Sequence, residues 1–217
     1  MNLLDELIQA KANVNSQTEL LALGKILCNQ QVNMKYKSIN DYEFKIFSQC
    51  VDDRIIKYLI RNLQIENDYF IEFGVGDFTE SNCRFLMMNN NWSGLVMNSS
   101  LNATKRIKKQ NWYWMYDLEA KAEYITKENI NYLISSTVEK NIGILHIDID
   151  GNDYNILKKL NLEKINPSII IAEYDSLFGF KRAITVPYRS DFNRSKAHYS
   201  NLYFGASLRA LDYISKK

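Results

Sequence analysis

The spacing of hydrophobic positions changes character near residue 65. Before it, "SINDYEFKIFSQCVDDRIIKYLIRNL" (38–63) places Phe44, Phe47, Val51, Ile55, Tyr58 and Leu59 at helical intervals behind Ser38 as an N-cap. Residues 1–65 therefore read as a helical N-terminal segment. After it come short β-rich runs: "YFIEFGV" (69–75), "SGLVMN" (93–98), "WYWMYD" (112–117), "IGILHIDID" (142–150) and "SIIIAEY" (168–174). Segments 79–90, 100–109, 126–139 and 152–161 lie between them and can form helices. Apolar strands alternating with helices predict a parallel sheet with crossovers on its faces. The expected fold is α/β, a Rossmann-like, doubly wound and mostly parallel sheet of order 3-2-1-4-5 over residues 66–217, in a single domain overall.

Composition narrows the function without naming it. At 217 residues, 46% hydrophobic and 24% charged, the chain has the means to bury one sizeable core. A net charge of +2 gives no electrostatic case for nucleic acid, and "KRIKKQ" (105–110) reads as a solvated helix face. No apolar run approaches the ~18 residues needed to span a bilayer, and "MNLLDELIQAKAN" lacks the pattern of a signal peptide. Cys28, Cys50 and Cys83 are widely spaced, which fits reduced thiols and a cytoplasmic location. A homodimer is compatible with this composition.

Chemistry enters at "FIEFGVGDFTESN" (70–82), which has the form of a first strand, a turn and a helix start. Gly74 and Gly76 permit close backbone approach to a ligand, and Ser81 and Asn82 offer polar groups at the helix start. Thr79 stands where the dinucleotide fingerprint needs its third glycine, and no GK[ST] follows. The turn thus suits a ligand without a pyrophosphate, of which S-adenosylmethionine is the common one, with Glu72 facing its amino-acid end. Asn98 lies 22 positions after Gly76 (98 − 76), where a ribose contact is expected, although an acid is usual there. Asp117, taken as the end of the third strand, offers an edge for adenine or caps the next helix. Trp112, Tyr113, Trp114 and Tyr116 read as strand packing, and His146 as a core histidine.

"FIEFGVGDFTESNCRFLMMNNNWSGLVMN", "ITKENIN", "LHIDIDGNDY", "IIIAEYDSLFG", "TVPY" and "HYSNLYFGASLRAL" together resemble bacterial FkbM-like S-adenosylmethionine-dependent methyltransferases, from about Ser38 to Leu211. The resemblance implies a class I methyltransferase that O-methylates a sugar hydroxyl in capsule or lipopolysaccharide pathways, on a small-molecule or sugar-nucleotide acceptor. It also implies a cofactor contact from Gln49 in "SQCVDD". The class normally adds two further strands, for which "LDYISKK" leaves no sequence, so either the chain is shortened or the sheet has five strands. A non-catalytic Rossmann-like binding or scaffold protein is the alternative from another class. A nicotinamide-dependent oxidoreductase is disfavoured by Thr79.

Within that frame the acids acquire roles. Asp148, Asp150 and Asp153 are expected at the carboxyl end of the fourth strand beside the sulfonium, with Asp148 contacting the cofactor. Glu173, Tyr174 and Asp175 close the fifth strand and are expected to orient the acceptor. An alkyl hydroxyl needs a proton acceptor, and His198 in "KAHYSN" is the first candidate, with Asp150 or Asp153 as rivals. Tyr188 and Arg194, in the polar segment "VPYRSDFNR" (186–194), are expected to line the acceptor site, with Arg194 able to meet a nucleotide diphosphate. The competing arrangement holds Mg²⁺ or Ca²⁺ between Asp148 or Asp150, Glu173 and Asp175, because such ions prefer oxygen ligands.

Overall fold

A computed structural model describes residues 3–31, 38–43, 45–50, 52–65, 67–135 and 141–216. The helices and strands of the first half are α1 (Leu3–Gln31), α2 (Asp52–Asn62), β1 (Tyr69–Phe73), α3 (Arg84–Asn90), β2 (Ser93–Asn98), α4 (Leu101–Lys108) and β3 (Leu118–Ala122). The second half adds α5 (Ile130–Ser135), β4 (Ile144–Ile147), α6 (Asp153–Lys159), α7 (Leu162–Ile165), β5 (Ile169–Ala172), α8 (Arg194–Ala197) and α9 (Leu208–Ser215). Contacts divide the chain into two units, residues 1–65 with 79–92, and residues 66–78 with 93–217.

In the first unit the helix expected over 38–63 is broken. A single 3₁₀ turn (Ile39–Tyr42) is followed by bends, and α2 begins only at Asp52. Ser38 caps no long helix; its N–H donates to the Asp41 carboxylate at 3.0 Å. The cause of the break is Asp53. One oxygen of this buried carboxylate accepts the N–H groups of Ile46 (2.7 Å), Phe47 (2.8 Å) and Ser48 (2.9 Å), and the Ser48 hydroxyl at 2.9 Å. A charged acceptor for three successive amides stabilises a turn over a helix. Phe44 and Val51, expected in the helix core, lie outside the described residues. Ile46, Phe47 and Phe85 form the buried cluster of this unit, and Gly24 lets α1 pass against the Phe85 ring, which a Cβ would meet at 2.6 Å. Asp53→Ala would strand three amides, all on buried residues, and is expected to cost about 3 kcal/mol, read as a melting temperature lower by about 6–12 °C.

The second unit holds a five-stranded parallel sheet of order β3-β2-β1-β4-β5, as the pattern predicts. Residues alternate across it. Ile71, Phe73, Leu95, Met97, Leu145 and Ile147 join α5 and α6 side chains (Ile130, Leu133, Ile134, Ile156, Leu157) in one buried cluster, against which Leu211 and Ile214 of α9 pack. Phe70, Glu72, Val96, Ile144 and His146 occupy the alternate positions and are also buried. Gly94 leaves room for the Phe70 ring, which would stand 2.3 Å from a Cβ there.

One strand is displaced from its expected place. The aromatic run 112–117 forms a 3₁₀ turn (Tyr113–Met115), and β3 follows it as "LEAKA" (118–122). Trp112 is buried against Phe78 at 6.0 Å between ring centroids, whereas Trp114 is 81% exposed. Ring packing at a turn outweighed aromatic strand propensity here. Of the helix expected over 126–139, residues Ile130–Ser135 are helical and 136–139 lie outside the described residues.

Candidate active site

In an open parallel sheet, ligands bind beyond the carboxyl ends of the strands where strand order reverses. That point falls between β1 and β4, and a cavity of about 550 Å³ opens there, bounded by the segments that follow β1, β2, β3 and β4. Its size lies within the range of small-molecule sites.

The glycine turn forms one wall. Gly74 has φ +81°, and a Cβ on it would stand 1.5 Å from the Asp148 carbonyl oxygen, so only glycine lets the turn pass the end of β4. Gly76 has φ +54° and open space where its Cβ would be, facing the cavity. Asn98, at the end of β2, donates from its amide to the Gly76 carbonyl at 3.2 Å and accepts the Ser100 N–H at 2.7 Å. This ties the second strand end to the turn at the spacing expected for a ribose contact.

Acids gather at the ends of β4 and β5; Asp148 and Asp150 among them line the cavity, and Glu173 stands behind them outside its lining. β4 ends at Ile147 and β5 at Ala172, and Asp148 and Glu173 follow them. The Asp148 N–H donates to Phe73 at 3.3 Å and the Glu173 N–H to Ile147 at 3.1 Å, continuing the sheet pairing. Carboxylate oxygens of Asp148, Asp150 and Glu173 lie within 4.8 Å of one another. Asp148 and Glu173 are hydrogen-bonded to each other. Burial, and then the charge of Asp148, pushes the Glu173 carboxyl far above the usual carboxylate range. Burial raises Asp148 as well, opposed by His146. One Glu173 oxygen is buried with no hydrogen-bond partner.

Asp150 and Asp153 differ from this pair. Asp150 has φ +57°, lines the cavity and pairs with Arg194. Asp153 is 1% exposed and accepts the Ile149 N–H (2.7 Å) and the Gly151 N–H (2.8 Å), so it holds the Asp-Gly-Asn turn in shape. Burial, partly offset by those bonds, pushes its carboxyl up to about 6. Gly151 lets the Phe192 ring lie against this turn, at 2.3 Å from where a Cβ would stand.

Several expectations need correction. Glu72 does not reach the cavity: β1 runs to Phe73, so Glu72 is still inside the sheet, 2% exposed and 2.8 Å from the Nδ1 of buried His146. Asp117 precedes β3, and its carbonyl accepts the Gly94 N–H at the start of β2, so it sits at the edge away from the cavity. His198 is exposed, lies outside the cavity lining, stacks on Tyr199 and bonds Ser200 through Nδ1 at 2.7 Å. Tyr188 is also outside the lining; it donates to Glu128, accepts the Lys127 N–H at 3.1 Å and carries the Lys127 ammonium over its ring. Asp175 is not among the three clustered acids; one oxygen accepts the Leu177 N–H at 2.8 Å and caps a 3₁₀ turn. Tyr174 is 42% exposed. Arg194 does line the cavity, with its guanidinium 3.7 Å over the Phe204 ring and its Nε on the Asn201 carbonyl at 2.7 Å.

Gln49, Ser81 and Asn82 belong to the first unit. Gln49 is exposed, and its carbonyl accepts from Lys45. The buried Ser81 hydroxyl accepts the N–H groups of Cys83 (3.2 Å) and Arg84 (3.1 Å) before α3, and Asn82 is buried. The cavity also uses Glu123, Tyr124 and Ile125 after β3, together with Asn152, Asn193 and Asn201. The alternation Leu118, Ala120, Ala122 in "LEAKAE" is the signal that marks β3 and would have led to Glu123; the loop asparagines carry none.

A family model described as "Methyltransferase FkbM domain" matches residues 53–198, more than half of the 217-residue chain. The chain belongs to the FkbM methyltransferase family. Like the family, it is an S-adenosylmethionine-dependent methyltransferase. No curated protein matches the sequence. Among solved structures, the chain is similar to the plantazolicin methyltransferase BamL, crystallised with a triazolic desmethylPZN analog and SAH, at 15% identity and a TM-score of 0.47, covering 98% of this chain and 74% of that one. Among the described residues of this FkbM protein no helix is long and apolar enough to cross a membrane. Its own geometry fits the cofactor: the cavity-facing Gly76 leaves a cradle that a side chain would fill, and acids oppose it where a cationic sulfonium would gain from them.

Proposed function

We propose that this FkbM methyltransferase acts on a sugar hydroxyl, carried on a nucleotide or within a glycan of the capsule or lipopolysaccharide kind. The observation that carries the reading is the cavity itself. One wall is a glycine turn, another carries the Asp148 and Asp150 carboxylates, and the remainder is rich in amides and hydroxyls: Asn98, Ser99, Asn152, Asn193, Ser195 and Asn201. Such a lining matches the many donors and acceptors of a polyol.

When bound, S-adenosylmethionine supplies an electrophilic methyl group. The turn at Gly74 and Gly76 would hold its amino-acid end, with open space at Gly76 to receive it, and Asn98 would meet the ribose side. Asp148 accepts the proton of the attacking hydroxyl, and the Glu173 carboxyl bonded to it offsets the charge that this site would otherwise hold. A proton acceptor in reach contributes about 10²–10⁴-fold to such a step. Asp150 pairs with Arg194 and keeps the turn in register; Asp153 anchors the same turn. The reading leaves His198 and Tyr188 outside the chemistry.

Calorimetry with S-adenosylhomocysteine tests the donor half, with binding in the micromolar range expected; absence of binding at millimolar ligand would overturn it. Incubation with a panel of nucleotide-activated sugars and mass detection of a methyl adduct tests the acceptor half. The closeness of Asp148, Asp150 and Glu173 favours a second reading, in which these oxygens hold Mg²⁺ or Ca²⁺ and the ion lowers the hydroxyl pKa. Turnover unchanged by EDTA fits the shared-proton reading; turnover lost to EDTA and restored by Mg²⁺ fits the second.

A further inference from the structure

A second cavity, of about 520 Å³, shares Tyr124, Phe192 and Asn193 with the first. These residues form a ridge between the two. The ridge is fastened on both sides: the Tyr124 hydroxyl donates to the Phe192 carbonyl, and the Asn152 amide donates to the Arg189 carbonyl at 2.8 Å. Phe192 is 8% exposed although it lines both hollows.

The two hollows differ in charge. Acids dominate the first, where Arg194 is already engaged by Asp150, the Asn201 carbonyl and the Phe204 ring. The second is lined by Arg189, Asp191 and Lys196, a balance of one positive charge. Arg189 holds Asp191 through two hydrogen bonds, Nε at 3.2 Å and a terminal nitrogen at 3.1 Å. Lys196 makes no ion pair among the described residues. Lys196 is exposed, and Ser190 lines the same hollow.

We propose that this second cavity binds an anionic group of the methyl acceptor, of the phosphate or diphosphate class, with Lys196 as its principal cation, while the hydroxyl to be methylated crosses the Phe192–Asn193 ridge. The inference rests on the acceptor reading above and moves the anion contact from Arg194 to Lys196. A lysine acts as a point charge for phosphate, and one free of a carboxylate partner keeps its full attraction for a ligand. The acids of the first cavity repel the same anion, so the two hollows impose one direction on a substrate bearing both groups.

The test uses the full chain saturated with S-adenosylhomocysteine and inorganic pyrophosphate as the probe, followed by calorimetry. Wild type is expected to bind pyrophosphate in the millimolar range, Lys196→Arg to stay within about threefold, and Lys196→Ala to weaken about tenfold. Lys158→Ala, on the exposed face of α6, should change nothing. S-adenosylhomocysteine affinity should be equal in all four proteins. No pyrophosphate binding by wild type, or equal binding by Lys196→Ala, overturns the proposal. Failure of S-adenosylhomocysteine to bind at all overturns the donor reading instead.

Discussion

Replacing Gly74 by alanine is expected to abolish S-adenosylhomocysteine binding and to lower stability by about 3–5 kcal/mol, the sum of backbone strain and overpacking. The new methyl would stand 1.5 Å from the Asp148 carbonyl oxygen, a backbone atom at the end of a central strand that cannot turn aside. The φ of +81° adds strain for any L side chain. Either the glycine turn or the Asp148 end of β4 must move, and each is a wall of the cavity. Gly76→Ala is the control: nothing lies within 4 Å of its added methyl, so its stability should fall by only about 1 kcal/mol. That methyl enters the cavity proposed for the donor, so affinity should still drop about tenfold. Thermal melting and calorimetry on both variants read the contrast. Cofactor binding by Gly74→Ala at wild-type strength would refute the close approach of turn and strand.

Asp148→Asn is expected to lower kcat by about 10²–10⁴-fold while S-adenosylhomocysteine affinity changes less than about threefold, because the amide keeps the size and loses the proton acceptor. Glu173 variants separate chemistry from packing. In the proposed mechanism the Glu173 carboxyl donates to Asp148 and opposes the upward push of burial on it. Glu173→Gln preserves that donor and should leave the acid limb of the pH–rate profile in place; Glu173→Ala removes it and should move the limb to higher pH. A merely structural role would give equal loss in both with no displacement of the limb. Stability carries its own signature. Glu173 has a folded pKa raised above its unfolded value, so the folded state binds more protons, and this stabilising contribution is complete below the unfolded value and lost as pH rises through the folded one. Glu173→Gln should therefore flatten the fall in melting temperature from mildly acidic to alkaline pH.

The parallel sheet and its order were legible because four of the five strands are apolar runs with no competing pattern, and "SGLVMN" coincides with β2. The third was misplaced since "WYWMYD" has stronger strand propensity than "LEAKA", while ring packing of Trp112 on Phe78, Tyr113 and Tyr116 accompanies a turn there instead. That displacement turned Asp117 from a strand end into a strand start. The helix over 38–63 failed for a related reason: Asp53 collects amides five to seven residues before it, a local preference that hydrophobic spacing does not register. The glycine turn, Asn98 and Asp148 line the cavity at positions legible in sequence, because strand ends and turns fix them. His198, Tyr188 and Arg194 lie in a long irregular segment where side-chain direction follows from tertiary contacts, so residue type alone gave one of the three a place in the cavity.

The partition formed by Phe192 has a consequence for evolution. Gly151 and Phe192 interlock so closely that neither can be exchanged alone: a larger residue at 151 expels the ring, and a smaller one at 192 merges the two chambers. Relatives that take bulkier acceptors should therefore have altered both positions together, while leaving the glycine bend on the far side of the cavity untouched.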